Sequence, residues 1–321
     1  MRTKSKNKFL AGILSIFAII LCFGFLLTGC GDSSNNDNTG DDDTSANTSI
    51  ISLVDAKNII INALAIDDAE STPTLPNSQR DIFVKFGKSA ISLFSEIGYP
   101  GDGSVINASA PVQQTQISFI TDKTSGTLDK YLVDGAFYGA MNLTALEYLD
   151  GEFVYSNYDG VISRVDYTGS ITGVLLNYAS QLLIYETLFS DSAFDNIYQQ
   201  QVEREDFEEG FSLTLDTNIY EYFIFMAEYS YTIMGMPNFD QSAFEESLGE
   251  TMINKVKNEG SATLTVSFDN NSDIISLNMK MNMFTQINDN IIPNNSVVTI
   301  EKYTGDITEP QWVAEYLAQQ Q

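Results

Sequence analysis

The chain has 321 residues, 43 acidic against 16 basic side chains, a formal net charge of −27, two cysteines and no histidine. A surface this negative argues against nucleic acid as a partner and against direct adsorption to anionic headgroups. Without an imidazole there is no Ser-His-Asp triad, no histidine general base and no His-containing zinc site, so most familiar hydrolase constellations are excluded.

In chain order, Met1 to Lys8 carries Arg2, Lys4, Lys6 and Lys8 with no acid, and Phe9 to Leu27 then runs without a charge. Leu27-Thr28-Gly29-Cys30 closes that run. Small residues before the cysteine let an extended chain enter a protease cleft, and the thiol supplies a nucleophile for acylation. This stretch resembles the lipobox of bacterial lipoproteins. The resemblance implies a signal peptide over residues 1–29, a diacylglyceryl anchor of the palmitate type on Cys30, and a body held at the cell membrane or outer membrane on the extracytoplasmic side. Two acyl chains on one cysteine meet the requirement of two signals for lasting attachment. The alternative is an uncleaved membrane helix over residues 9–27, which is long enough to span, with its basic end in the cytoplasm. Cys22 lies inside the apolar run, so the body has no internal disulfide and its stability rests on a hydrophobic core.

Residues 30–50 form an acidic and polar tether, rich in Asp, Asn, Ser and Thr, that cannot bury enough surface to fold. The run Asp41-Asp42-Asp43 reads as solvated linker and not as a cation site. A single domain is expected over residues 51–321. Ser52-x-x-Asp55 is a capping box for a helix to about Ile66, with Leu53, Ala56, Ile60 and Leu64 along one face. Asp67 to Gln79 and Gly101 to Pro111 read as loops. Asp81 to Tyr99 between them reads as one or two strands, a helix from Ser89 being the alternative.

A meander follows. Gln116 to Thr121 is a strand, and two similar units, Tyr131 to Tyr138 and Tyr148 to Tyr155, come next. Asp134-Gly135, Asp150-Gly151 and Asp159-Gly160 are hairpin signals, because type I′ turns need positive φ. Val161 to Tyr167 is a further strand. Ser170 to Phe189 reads as a helix, with a second helical stretch to about Gln201. Phe211 to Leu215 is a strand, Asn218 to Met234 an aromatic helix, and Asp240 to Asn258 an amphipathic one. In the last third Ala262, Leu264, Val266 and Phe268 alternate with polar residues, as do Ile275, Leu277, Met279, Met281 and Met283, so each strand has one buried and one wet face. Asp269 to Asp273 joins them, Val297 to Lys302 adds a strand, and Trp312 sits in a short terminal helix or tail.

This order of helix, meander, inserted helices and long alternating strands, over roughly Ser52 to Thr308, resembles the LolA-like superfamily of exported lipoproteins and lipoprotein carriers. The resemblance implies an α+β fold in which a strongly curved antiparallel sheet, a half-barrel, wraps helices and can hold acyl chains between them. The function it implies is carriage or binding of a lipid or other hydrophobic ligand, with no catalysis and no cofactor. The candidate ligand wall is Tyr222, Phe223, Phe225, Met226 and Tyr229 on the aromatic helix with Met279, Met281 and Met283 on one strand face, since methionine makes deformable apolar surfaces. Ordinary core is the competing reading of the same residues. A second functional reading is a surface module with a filled core that meets a protein or an envelope polymer. Asp269 to Asp273 lacks the glycine and glutamate of a calcium loop, having Ile274 and Lys280 at those places, and reads as a turn. Glu203, Glu205, Asp206, Glu208 and Glu209 read as a solvated helix end.

Overall fold

The structure, a computed structural model, describes residues 47–64, 85–97, 113–122, 128–138, 143–167, 188–233, 239–287 and 290–320. Its strands are β1 (Asn47–Ser52), β2 (Lys88–Ile97), β3 (Gln113–Asp122), β4 (Lys130–Tyr138), β5 (Leu143–Leu149), β6 (Phe153–Tyr158), β7 (Val161–Asp166), β8 (Gln201–Phe207), β9 (Gly210–Thr217), β10 (Ser261–Asp269), β11 (Ile274–Ile287) and β12 (Asn290–Lys302). The helices are α1 (Leu53–Leu64), α2 (Asp191–Asn196), α3 (Ile219–Ile233), α4 (Gln241–Leu248), α5 (Glu250–Glu259) and α6 (Gln311–Gln319). The fold is α+β. All twelve strands join one antiparallel sheet in the order β1-β8-β9-β10-β11-β12-β2-β3-β4-β5-β6-β7, which is not closed.

The register shows why this sequence makes one sheet. Leu213, Val266, Leu277, Ile300, Ile91, Phe119 and Val133 lie directly opposite one another, strand by strand, from β9 to β4. All seven are buried in one core, and burial of each such side chain is worth roughly 1.5–3 kcal/mol. We call this side of the sheet the inner face. A slip of one residue in any strand would turn its member of the row outward, so the row fixes the register.

Helices cover the inner face at the β8 to β11 end. Helix α1 buries Leu53, Ala56, Ile60, Ala63 and Leu64 in the common core. Its start is the expected cap: the Asp55 N–H donates to Ser52 Oγ at 3.1 Å, and that hydroxyl donates to the Asp55 carboxylate at 2.7 Å. Helix α3 puts Ile219 and Tyr222 into the main core while Tyr220, Phe223, Ile224 and Ala227 join Phe244 of α4 in a second cluster. Apolar residues on two sides of α3 thus have two separate destinations. The outer face carries a third cluster, in which Val313 of α6 packs with Tyr148, Tyr155 and Ile307.

Several expectations are corrected. Strand β1 begins at Asn47, inside the stretch read as tether, because its backbone completes a ladder with β8 from Asn47↔Asp206 to Ser52↔Gln201. Asp134-Gly135 makes no turn: β4 runs straight through it, paired on both sides with β3 and β5, and two full ladders outweigh a local turn preference. The other two signals do turn the chain, Asp159 and Gly160 both at positive φ (50° and 85°) and Gly151 at 102°. Helix α2 stops at Asn196, and Gln201–Phe207 is strand β8, not helix. The stretch from Asp240 is two helices, broken at Gly249, whose φ of 80° no continuing helix adopts. Ile275 leaves the apolar row of β11 because a bulge opposite Ser267 and Phe268 puts Ile274 inward instead and Ile275 at 38 % exposure. The expected loops at Asp67 to Gln79 and Gly101 to Pro111, most of the Ser170 to Phe189 helix, and everything before Asn47 lie outside the described residues.

Candidate ligand-binding face

The described members of the expected ligand wall fall into the two inner clusters. Tyr222 and Met279 are buried in the main core, and Phe223 is buried in the second. Phe225 and Met281 are half-buried against the main core, and Met283 packs against both clusters. Met279 sits between Leu264 and Val298 on neighbouring strands. Met226 and Tyr229 lie on α3 with side chains outside the described part, and Cys30 lies outside it altogether. The described wall residues therefore line packed apolar surface.

A polar feature interrupts the same face. The apolar row that ends at Val133 continues to β5, and there the next residue is Glu147, opposite Val133 on one side and Ser156 on the other. Glu147 is 1 % exposed. The Tyr158 hydroxyl donates to its Oε1, while Oε2 has no hydrogen-bond partner among the described residues. Burial pushes the Glu147 carboxyl up to about 6, against a partial offset from the Tyr158 hydrogen bond. The Tyr158 hydroxyl is pushed well up by burial and by its bond to Glu147. Tyr131 on β4 is raised further still, first by burial and then by the charges of Glu147, Tyr158 and Tyr167. Four ionisable side chains from β4, β5, β6 and the segment after β7 thus converge at one place on the inner face.

The adjoining row is polar at its β2 and β3 end. Ser89 and Thr121 lie opposite one another, and Thr121 lies opposite Tyr131. Both hydroxyls are buried and without a partner among the described residues, as Glu147 Oε2 is. Unsatisfied buried polar atoms are uncommon in folded proteins, and each costs about 1–3 kcal/mol. Sequence reading missed Glu147 because it assigned no strand before Tyr148. The available signal was a lone charge among the apolar residues Leu143, Ala145, Leu146, Tyr148 and Leu149.

On the outer face a depression of about 460 Å³ lies over β12, β2, β3 and β4, lined by Phe94, Ala136 and Val297 with Ser92, Gln116, Ser118 and Asp134. None of the expected wall residues borders it. The acidic cluster is on a strand and turn, not on a helix end: Glu203 and Glu205 are exposed on β8, and Asp206 holds Arg204 at 2.7 Å. The Asp269 carboxylate accepts the N–H groups of Asn271 and Asp273 at 2.8 and 2.9 Å, a side-chain-supported turn. Among the described residues no group of three acidic or cysteine side chains is placed to hold a metal ion, and no helix is long and apolar enough to cross a membrane.

No family model matches the chain, and no curated protein does. Among solved structures, a porin-like protein from Bacteroides uniformis aligns over 65 % of this chain and 95 % of its own length, at 10 % identity and a TM-score of 0.17. A score that low carries no argument about fold or function.

Proposed function

We propose that this chain is a lipoprotein, anchored through diacylated Cys30 on the extracytoplasmic side of the cell membrane or outer membrane. Its body, in this reading, is a LolA-like half-barrel that holds a hydrophobic molecule between sheet and helices and performs no catalysis. The observation that supports it best is the inner face itself. An apolar row crosses six ladders, α3 and three methionines pack near one end, and buried oxygens at the other end lack partners among the described residues. Buried oxygens of this kind call for a hydrogen-bond partner, and the polar end of an amphipathic cargo would supply one. Native mass spectrometry after gentle purification tests the reading: copurified lipid is expected, and a mass matching bare protein throughout overturns it. Replacing Cys30 by serine should abolish processing and membrane fractionation.

The depression on the outer face supports a second reading, a module with a filled core that meets an envelope polymer. Exposed serine, glutamine and aspartate beside a phenylalanine ring suit a polyhydroxylated chain. It predicts retention on purified wall polymer together with a lipid-free mass.

A further inference from the structure

We propose that Glu147, held by Tyr158, is the polar anchor of the inner face, and that it takes a ligand whose head end donates a hydrogen bond, such as a long-chain alcohol. This rests on the reading of the inner face as a holder of hydrophobic molecules, and it names the class of molecule held. Oε1 is already engaged by the Tyr158 hydroxyl, and Oε2 is buried without a partner among the described residues, so one acceptor of this carboxylate is unsatisfied.

The neighbours fit a chain with one polar end. Val133 and Leu149 flank Glu147 with buried apolar surface. Ala145 lies directly opposite Gly135, leaving the inner face low on that side of the carboxylate. Tyr131, Thr121 and Ser89 continue as a polar strip in the adjoining row, and the last two also lack partners among the described residues. A donor reaching Oε2 meets an acceptor of high charge density in a dry setting, where such a bond counts for more than in water. A carboxylate head would meet like charge there and be rejected, and a head with no donor would leave Oε2 unsatisfied.

Equilibrium dialysis with decanol and with its isomer nonyl methyl ether separates the outcomes, because the two have the same atoms and only the first has a hydroxyl proton to donate. The purified full chain is expected to bind decanol roughly tenfold more tightly than the ether, the worth of one hydrogen bond to a charged group. In Glu147→Leu the two should bind alike, with thermal melting used to confirm a folded protein. Equal binding of both probes by the wild type overturns the anchor but leaves the hydrophobic holder standing. Binding of neither overturns both. Should Glu147→Leu fail to fold, Glu147→Gln takes its place: loss of the charge should cut the preference for decanol several-fold, and an undiminished preference overturns the anchor.

Discussion

Replacing Glu147 by glutamine should change how stability responds to pH, by an amount the structure fixes. Burial holds the folded carboxyl at about 6, against an ordinary value of 4.5. Because the folded value is the higher one, the folded state keeps this proton more tightly than the unfolded chain does. The neutral acid therefore favours folding fully below pH 4.5, and that contribution is lost as pH rises through about 6. A gap of about 1.5 pH units at 1.36 kcal/mol each amounts to roughly 2 kcal/mol. Glutamine has no proton to lose. The difference in unfolding free energy between wild type and Glu147→Gln should thus move by about 2 kcal/mol in the variant's favour between roughly pH 4 and pH 7.5, or about 4–8 °C in melting temperature. Urea titrations of both proteins at both pH values give the number, and subtraction removes the repulsion among the other acids that both share. A difference that stays flat within about 0.5 kcal/mol would mean that the carboxylate is solvated or already paired, and the desolvation argument would fail.

Leu264→Ala, fully buried between Leu215 and Met279, should cost about 2–5 kcal/mol in urea unfolding, while Ile50→Ser at 62 % exposure should stay within about 0.5 kcal/mol. Gly160→Ala should cost roughly 1–2 kcal/mol through its φ of 85° alone, since a Cβ there meets nothing within 4 Å; an unchanged denaturation midpoint would remove the type I′ turn. Arg164→Ala should cost about 0.5–1 kcal/mol, because the guanidinium lies 3.5 Å from the Phe153 ring centroid, and melting with and without high salt should give similar losses if stacking dominates over charge.

How much of this was legible depended on how many faces an element buries. Strands β10 and β11 alternate cleanly because one side is wet, and their hairpin follows from the sequence alone, except at the bulge. No pattern in the sequence shows that two residues of β11 oppose one step of β10, so Ile275 counts as a member of a row that it leaves. Strand β5 is legible only at its end, Tyr148 and Leu149 before the Asp150-Gly151 turn, since α6 and its cluster cover one face and the core the other, and period two vanishes when both sides are apolar. Glu147 was hidden by the same circumstance. Strand β8 was lost to its charges: Glu203, Arg204, Glu205 and Asp206 look like solvated helix, yet backbone pairing with β1 and β9 on either side holds them extended. Asp134-Gly135 and Asp159-Gly160 are alike as dipeptides, and only the partners available to the flanking residues decide which one turns.

Strand β1 is the outermost strand at its end of the sheet, held by six facing residues of β8, and it is also where the chain enters the body from its amino-terminal side. Any pull transmitted along the preceding segment arrives first at the Asn47↔Asp206 pair and, through Ser52, at the first turn of α1. That short ladder is the first contact such a pull would load. The apolar row begins one strand further in, at Leu213 opposite Arg204 of β8, so loss of the β1 ladder would leave that row intact.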